Sequence, residues 1–452
     1  MTRITLIALI LSCVSAAVTQ AQQTEAPNLD PAIFDQYLGT YEFPSGRLIV
    51  IARTERRLYA YEPGSERIRG LERVDDRTWF AGPSLLEFSP ENYRITFLDD
   101  ESARVESLRF LEPGASEVIA RKMHAYREEQ VTFRNGDVVL SGTLLLPAAD
   151  GPQPAIVLGH GSGAQDRNGY IGNIRFMADH LARHGIAVLT YDKRGSGRST
   201  GDWSTASFSD LASDLIAGIR LLRSRPDIIA SQVGAGGSSQ VGWVVAKAVT
   251  QAPDIPFVML TGAGGSGFSV EQQNLYNTEV EMRAAQVSED RIARALELQR
   301  LFFDMLRRGE GADARDYDEA VLAARQDSTL ANWIFPTSGE VDWRNRSAWY
   351  TALEVSFDPL PAWRDYKGAV LGMFGDLDAQ TPVASVVPLF TDALMSRKSS
   401  DFTVTVFANA SHLMMEATRA SDDELDRLTR MVPGYFDFAS EWLLGRLSRM
   451  PR

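Results

Sequence analysis

The stretch VGAGGSSQVGW, residues 233–243, carries an apolar, glycine-studded run into the start of a helix through two consecutive serines. A nucleophilic serine needs a sharp turn at the end of a strand, with the N-terminus of the next helix facing the substrate. Small residues two positions to either side let that turn close. Gly237 supplies the first small residue for Ser239. The second is displaced, because Val241 holds its position and Gly242 follows one later. With Ser238 as nucleophile, Gln240 would hold the small-residue position. Ser239 is therefore the preferred nucleophile and Ser238 its rival.

Two further segments follow apolar runs in the same way. Gly375-Asp376-Leu377-Asp378 comes after residues 369–374, and Ala410-Ser411-His412 after residues 402–407. A parallel sheet delivers its strand ends to one edge, where such sheets bind ligands. An aspartate there would hold a histidine tautomer and stabilise the imidazolium, and a histidine on the last loop would act as general base. Asp378 is expected in the first role, with Asp376 as competitor, and His412 in the second. An oxyanion would be held by backbone N–H groups. Gln240, at the helix start, is expected to give one. Ser162, in His160-Gly161-Ser162-Gly163 after the run 155–158, is expected to give the other, since the glycines let the loop turn its amides inward. The alternative for that loop is an ordinary flexible turn.

Together these motifs carry a resemblance. Gly237-Ser238-Ser239-Gln240-Val241-Gly242-Trp243 is similar to the Gly-His-Ser-Gln-Gly-Gly-Trp elbow of secreted α/β-hydrolase esterases related to serine aminopeptidases. It departs from that elbow at Ser238 and Val241. The segment 160–167 resembles the family's oxyanion loop, and Asp192-Lys193-Arg194-Gly195-Ser196-Gly197-Arg198-Ser199 resembles its Asp-x-Arg-Gly-x-Gly-x-Ser turn. The order Ser, Asp, His is also that of the family, and its Gly-x-x-Asp before a proline favours Asp378, which precedes Pro382. The resemblance runs from about residue 131 to the C-terminus. It implies the fold and acyl-ester chemistry without a cofactor, and fixes no substrate. Asp192 and Arg194 read as structural, with the 195–197 turn bracing the nucleophile strand and Arg194 donating to backbone carbonyls.

The 452 residues exceed one typical domain. Residues 29–111 alternate apolar and polar positions between turns, the pattern of a small antiparallel β domain with one face packed. Their YLGTYEF opening, residues 37–43, is similar to lipocalin-like domains appended to some secreted serine hydrolases. A packing or substrate-shaping accessory is the expected role. Residues 112–129 read as a linker and Asn135-Gly136 as a hairpin turn. Beyond it, continuous apolar runs suit strands buried on both faces of a parallel sheet. Residues 130–264 and 367–452 are expected to form this α/β-hydrolase domain, with 265–366 a helical lid insertion. In that insertion a helix should start at Ser288, present Ile292, Ala295, Leu296, Phe303 and Leu306 on one face, and stop at Gly309.

The first residues have the layout of a secretory signal peptide: Arg3, an apolar run at 4–11, then small residues to Ala21. Cleavage after 1–21 is expected over lipidation at Cys13, the sole cysteine, and points to a secreted or periplasmic protein whose mature chain holds no thiol. The net charge of −13 argues against nucleic acid or an anionic membrane as partner. No membrane span is expected, and oligomeric state is left open.

Four features imitate other chemistry. His180 and His184 have the i, i+4 spacing of a zinc pair but lack a third ligand and the glutamate of the metalloprotease pattern, so no metal is expected. Gly262-Ala263-Gly264-Gly265-Ser266-Gly267 formally fits a dinucleotide fingerprint but leads into the insertion, and reads as its hinge. Phe302, Phe303, Trp333 and Phe335 could line an acyl pocket, although they suit the insertion's own core better. Asn409-Ala410-Ser411 matches a glycosylation sequon too close to His412 to be used. The reading is a serine carboxylic-ester hydrolase acting on small or medium acyl groups. The alternatives are a serine aminopeptidase or amidase on the same scaffold, or a non-catalytic binding protein of the fold, the last motivated by Val241.

Overall fold

A computed structural model describes residues 31–54, 57–341, 354–398 and 401–451. The leader and Cys13 lie outside the described residues. Eight antiparallel strands come first: β1 (Gly39–Glu42), β2 (Leu48–Arg53), β3 (Leu58–Glu62), β4 (Arg67–Arg73), β5 (Thr78–Ala81), β6 (Tyr93–Asp99), β7 (Val105–Leu111) and β8 (Val118–Lys122). They close into a barrel, with Tyr41 of β1 opposite Lys122 of β8. Alternation fills it: Tyr93, Ile95 and Phe97 of β6 and Leu108 and Phe110 of β7 point inward onto Tyr41, Ile49, Leu58 and Trp79. The stretch 112–129, expected as a linker, instead contributes β8 and the start of β9 (Tyr126–Asn135), which leaves residues 123–125 between the two units. Closure explains this, because an open seven-stranded sheet would expose the edges of β1 and β7.

The second sheet adds β10 (Val138–Pro147), β11 (Gln153–Gly159), β12 (Ala187–Tyr191), β13 (Ile228–Ser238), β14 (Phe257–Thr261), β15 (Ala369–Gly375) and β16 (Phe402–Phe407). Its spatial order is β16-β15-β14-β13-β11-β12-β10-β9. The β9–β10 hairpin is antiparallel, turning through Gly136 with Asn135 opposite Val138, and β10 pairs antiparallel with β12. The neighbours from β12 to β16 pair in parallel. The unbroken apolar runs have the expected cause: Ala155 and Val157 face one hydrophobic core while Ile156 and Leu158 face another.

Helices cover both faces. The α1 helix (Asn173–Arg183) follows β11, α2 (Phe208–Arg223) follows β12, and α3 (Val241–Gln251) follows β13. Between β14 and β15 lie α4 (Val270–Ala284), α5 (Glu289–Arg308), α6 (Arg315–Ala324) and α7 (Leu360–Asp365); α8 (Val383–Met395) follows β15, and α9 (Tyr435–Leu447) closes the chain. Helix α5 begins after Ser288, buries the predicted stripe and stops at Gly309, whose φ of 81° is left-handed. Phe302 and Phe335 stack at 4.4 Å and, with Phe303 and Tyr317, are fully buried core of the insertion. No described helix is long and apolar enough to cross a membrane.

The barrel is not an independent bead. Expected to pack one face only, β2 and β3 bury both, because Val50, Ala52, Tyr59 and Tyr61 pack onto Ile174, Phe176 and Phe436 of the second unit. Polar ties reinforce the joint. Thr40 donates to the buried Asp179 of α1 at 2.6 Å. Arg53 donates to Asp35 at 2.6 Å and forms a second, closer ion pair with Asp166, a buried residue of the loop after β11. Removing one partner of a buried pair leaves the other charge uncompensated. Arg53→Met should therefore cost about 3 kcal/mol of unfolding free energy in a denaturant titration, and a loss under about 1 kcal/mol would show that Asp166 does not depend on the barrel.

Candidate active site

Ser239 is the first residue past β13, and its φ is 59°. Left-handed backbone costs a residue with a side chain about 1–2 kcal/mol, so the surrounding structure must hold it there. Its N–H donates to Thr261 O at 3.0 Å, and its carbonyl accepts from Gly242 N–H at 3.0 Å and Gly264 N–H at 3.1 Å. Ser238, by contrast, still belongs to the strand, and its hydroxyl accepts from Asn173 Nδ2 at 3.3 Å.

Val241 is fully buried at the start of α3, and the room for it is made elsewhere. A Cβ on Gly159 would lie 2.7 Å from a Val241 methyl, and one on Gly237 would lie 3.2 Å from the other. The close approach usual at the second elbow glycine has moved to Gly242, where a Cβ would lie 1.7 Å from Gly264 O. The glycine run 262–267 therefore lies against the elbow: Gly264 and Gly265 leave space for the Trp243 ring, and Trp363 Nε1 donates to Gly265 O at 2.7 Å.

His412 Nδ1 faces both oxygens of Asp378 at 2.9 Å, and both side chains are buried. Asp378 Oδ1 also accepts from the N–H groups of Gln380 and Thr381 at 2.8 Å each. Burial pulls the imidazole's pKa down, but the Asp378 carboxylate more than reverses this, with a smaller push from Asp422, so it ends above the ordinary histidine value. Asp376 makes no such contact; its Oδ1 accepts from Ala410 N–H at 3.2 Å and laces the two loops together. Gly375 lets them approach, since a Cβ there would sit 2.2 Å from Ala410 O.

The pair and the elbow meet through Gly262. It follows Thr261, the acceptor for Ser239 N–H, and a Cβ on it would lie 3.2 Å from Asp378 Oδ2 and 3.3 Å from His412 Nδ1. On the opposite side, a Cβ on Gly161 would lie 3.5 Å from Ser239 Cβ. The loop carrying Ser162 thus borders the elbow, and no described residue accepts from the N–H of Ser162 or of Gln240.

That loop is braced heavily. Arg167 donates through its side chain to both oxygens of Asp192, at 2.9 and 2.7 Å, and Asp192 also accepts from Arg198 N–H at 2.9 Å. Lys193 Nζ donates to Gly161 O at 2.9 Å, Gly163 O at 3.0 Å and Gln240 Oε1 at 2.7 Å. The 192–199 turn therefore braces the 160–167 loop more than the nucleophile strand. Arg194, expected on backbone carbonyls, pairs mainly with Asp214 of α2 at 2.7 and 2.8 Å and reaches one carbonyl, Asp210 O. Lys193, Arg167 and Asp422 were not singled out from sequence. The available signal is a lysine two residues past a strand buried along its whole length, in a turn that carries Gly195 and Gly197.

His160 is buried, bonds the Tyr191 carbonyl, and is held near a pKa of about 3 by burial, which keeps it neutral. His180 bonds Ser440 Oγ at 3.0 Å, while the His184 ring lies 4.3 Å from it. The described residues hold no cluster of His, Cys, Asp or Glu fit for a metal ion.

Residues 155–425 match the model of the alpha/beta hydrolase family, and the chain belongs to that family. A stretch of 107 residues is 31% identical to esterase EstD of Thermotoga maritima, covering 23% of this chain and only 25% of that relative. Among solved structures, dienelactone hydrolase from Anabaena variabilis is 19% identical, covers 71% of this chain and 99% of its own, and has a TM-score of 0.38. An esterase of Pyrococcus furiosus is 15% identical over 72% of this chain and 90% of its own, with a TM-score of 0.43. Proline iminopeptidase from Mycobacterium smegmatis is 18% identical over 71% of this chain and 100% of its own, again at 0.43. Structural likeness at these scores carries no argument about activity.

If His412 must be neutral to accept a proton, activity is lost as pH falls through its raised pKa, so the acid limb of kcat/KM should lie above the ordinary 6.5. Asp378→Asn should cut kcat by about 10³–10⁴ and move that limb down, because burial is then opposed only by the weaker push of Asp422. Asp376→Asn leaving the limb unmoved, set beside such a drop, identifies the partner; the reverse pattern would reassign the acid.

Proposed function

We propose that this chain is a serine hydrolase that cleaves carboxylic esters through an acyl-enzyme. The observation that carries the reading is Ser239 held at φ 59° on a strand-to-helix turn, its N–H on Thr261 O, with the next residue, Gly262, bordering the buried Asp378–His412 pair. His412 turns Nδ1 to Asp378, which leaves Nε2 on the far side of the ring as the basic atom. Ser239 Oγ attacks the acyl carbon while His412 takes its proton. The developing oxyanion accepts from the N–H groups of Ser162 and Gln240, worth a few kcal/mol in such sites. Collapse expels the alcohol, which His412 protonates, and water then repeats the sequence on the acyl-enzyme.

Residues 265–341 and 354–366, the described part of the insertion, act in this reading as a lid on the substrate side; residues 342–353 lie outside the described residues. Supporting it, Asn277 of α4 donates to Gln380 O at 2.8 Å, two residues beyond Asp378. The leader supports export to the periplasm or outside the cell, and the barrel shapes the joint behind the site. A fluorophosphonate probe read by intact mass tests the nucleophile. One adduct is expected, absent in Ser239→Ala and retained in Ser238→Ala; an adduct that persists in Ser239→Ala would contradict the assignment.

One observation favours the amidase alternative. Asp422 lies within the field of His412, with Oδ2 held by Gln380 Nε2 at 2.9 Å, and burial raises its pKa while His412 opposes. When ionised, such a carboxylate pairs with a substrate ammonium group, as an aminopeptidase requires. Turnover of p-nitrophenyl esters is expected to exceed that of aminoacyl amides. Faster amide cleavage that collapses in Asp422→Asn would select the aminopeptidase instead.

A further inference from the structure

Lys193 is a buried amine that the acyl-transfer steps above do not use, and among the described residues no carboxylate pairs with it. Its side chain is wholly enclosed, and its three hydrogen bonds go to uncharged acceptors: Gly161 O, Gly163 O and Gln240 Oε1. Asp192, next to it in sequence, spends its oxygens on Arg167 and on backbone N–H groups. Burying an unpaired ammonium costs several kcal/mol, and a methionine would fill the same space without that cost. The cation must be kept for something other than packing.

The three acceptors indicate its use. In a trans peptide the carbonyl and the following N–H point in opposite directions. With Gly161 O drawn onto Lys193, the Ser162 N–H of the same peptide faces away from the ammonium, and Gly161 itself borders Ser239. Lys193 also holds Gln240, whose N–H is the second donor. Its backbone N–H binds Gln165 O at 3.1 Å, and Gln165 Nε2 in turn donates to Ser162 O at 2.8 Å. One side chain thus ties together the two chain segments, far apart in sequence, that must aim their amides at a single point.

We propose that Lys193 is the positioning residue of the oxyanion hole, pinning the Gly161–Ser162 peptide and Gln240 so that both N–H groups converge on the oxygen developing beside Ser239. It touches no reacting atom. It acts through the two donors, so its effect belongs to the transition state and should fall on kcat rather than KM. The inference rests on the acyl-enzyme reading.

The charge state gives a signature that packing alone would lack. Burial lowers the Lys193 pKa to about 7. Two titratable groups flank it: His160, neutral across the working range, and Asp192, whose pKa burial would raise but whose bonds to Arg167 hold below the usual carboxylate range. Below pH 7 the ammonium supplies three N–H donors for three acceptors. Above it, the neutral amine has two and one grip is lost. The advantage of wild type over a variant without the amine should therefore shrink as pH rises through 7.

The test compares wild type, Lys193→Met and Gln240→Met on one p-nitrophenyl ester across pH. Gln240→Met keeps the backbone donor while removing the side-chain tie, and it tests the claim should Lys193→Met fold poorly. Loss of one oxyanion donor costs about 10²-fold or more in kcat. Lys193→Met is expected to lose about 10²-fold with KM within about threefold, and Gln240→Met a smaller amount of the same kind. The wild-type to Lys193→Met ratio should be largest below pH 7. A kcat within about threefold of wild type in both variants, or a loss confined to KM and independent of pH, would overturn the assignment. A wild type that neither turns over ester nor reacts with fluorophosphonate would instead remove the acyl-enzyme reading, and the two failures are distinguishable.

Discussion

A serine backbone forced into the left-handed region at the end of a buried strand is the constraint on which the rest of this structure depends. Ser239 has no intrinsic reason to adopt φ 59°, and the strain is offset by three backbone hydrogen bonds from segments on either side. Chains pass here closer than side chains allow: Gly242 lets the elbow meet Gly264, and Gly159 and Gly237 make room for Val241. Strain of this kind persists only where the surroundings over-determine it. Here they also fix which hydroxyl is presented, since Ser238, one residue earlier, remains in regular strand geometry.

The braces spread outward in layers. Asp376 and Gly375 bind the turn of Asp378 to the loop of His412; Lys193 and Arg167 bind the 160–167 loop to the 192–199 turn. The barrel enters at the third layer. Arg53 holds Asp166 within the 160–167 loop, while barrel backbone at Ile68 and Leu85 donates to Thr429 and Leu428, in the segment that follows His412 and contains Asp422. Two loops of the candidate site thus lean on a unit that carries no chemistry of its own. A removable accessory would not share its outer face with the core of the main domain.

Much of this was legible in the residues. The hairpin at Asn135-Gly136, the two-faced strands and the helix from Ser288 to Gly309 follow from local chemistry that survives tertiary packing. That Asp378 rather than Asp376 meets His412 agrees with the resemblance, which sets that aspartate before Pro382. Other features depend on partners distant in sequence. Val241 reads as a flaw in the elbow until Gly159, over eighty positions away, is seen to make room for it. Strand β8 hid in a charged segment because a barrel-closing strand needs few apolar residues: its burial pattern shows only Ala120 enclosed. Lys193 reads as a surface lysine unless the fold is known to enclose it. Arg194 turns to Asp214 instead of mainly to backbone carbonyls, because α2 brings Asp214 alongside, which sequence does not show.

The account reduces to a claim about convergence: a hydroxyl from one turn, an imidazole from another and two backbone amides from separate segments meet around one acyl carbon. A crystal structure of the protein after reaction with a phosphonate ester measures this directly. The account predicts phosphorus on Ser239 Oγ, its free oxygen about 3 Å from the N–H groups of both Ser162 and Gln240, and His412 Nε2 within hydrogen-bond reach of the adduct. A phosphonyl oxygen turned away from those amides, or phosphorus bound to another residue, would contradict it.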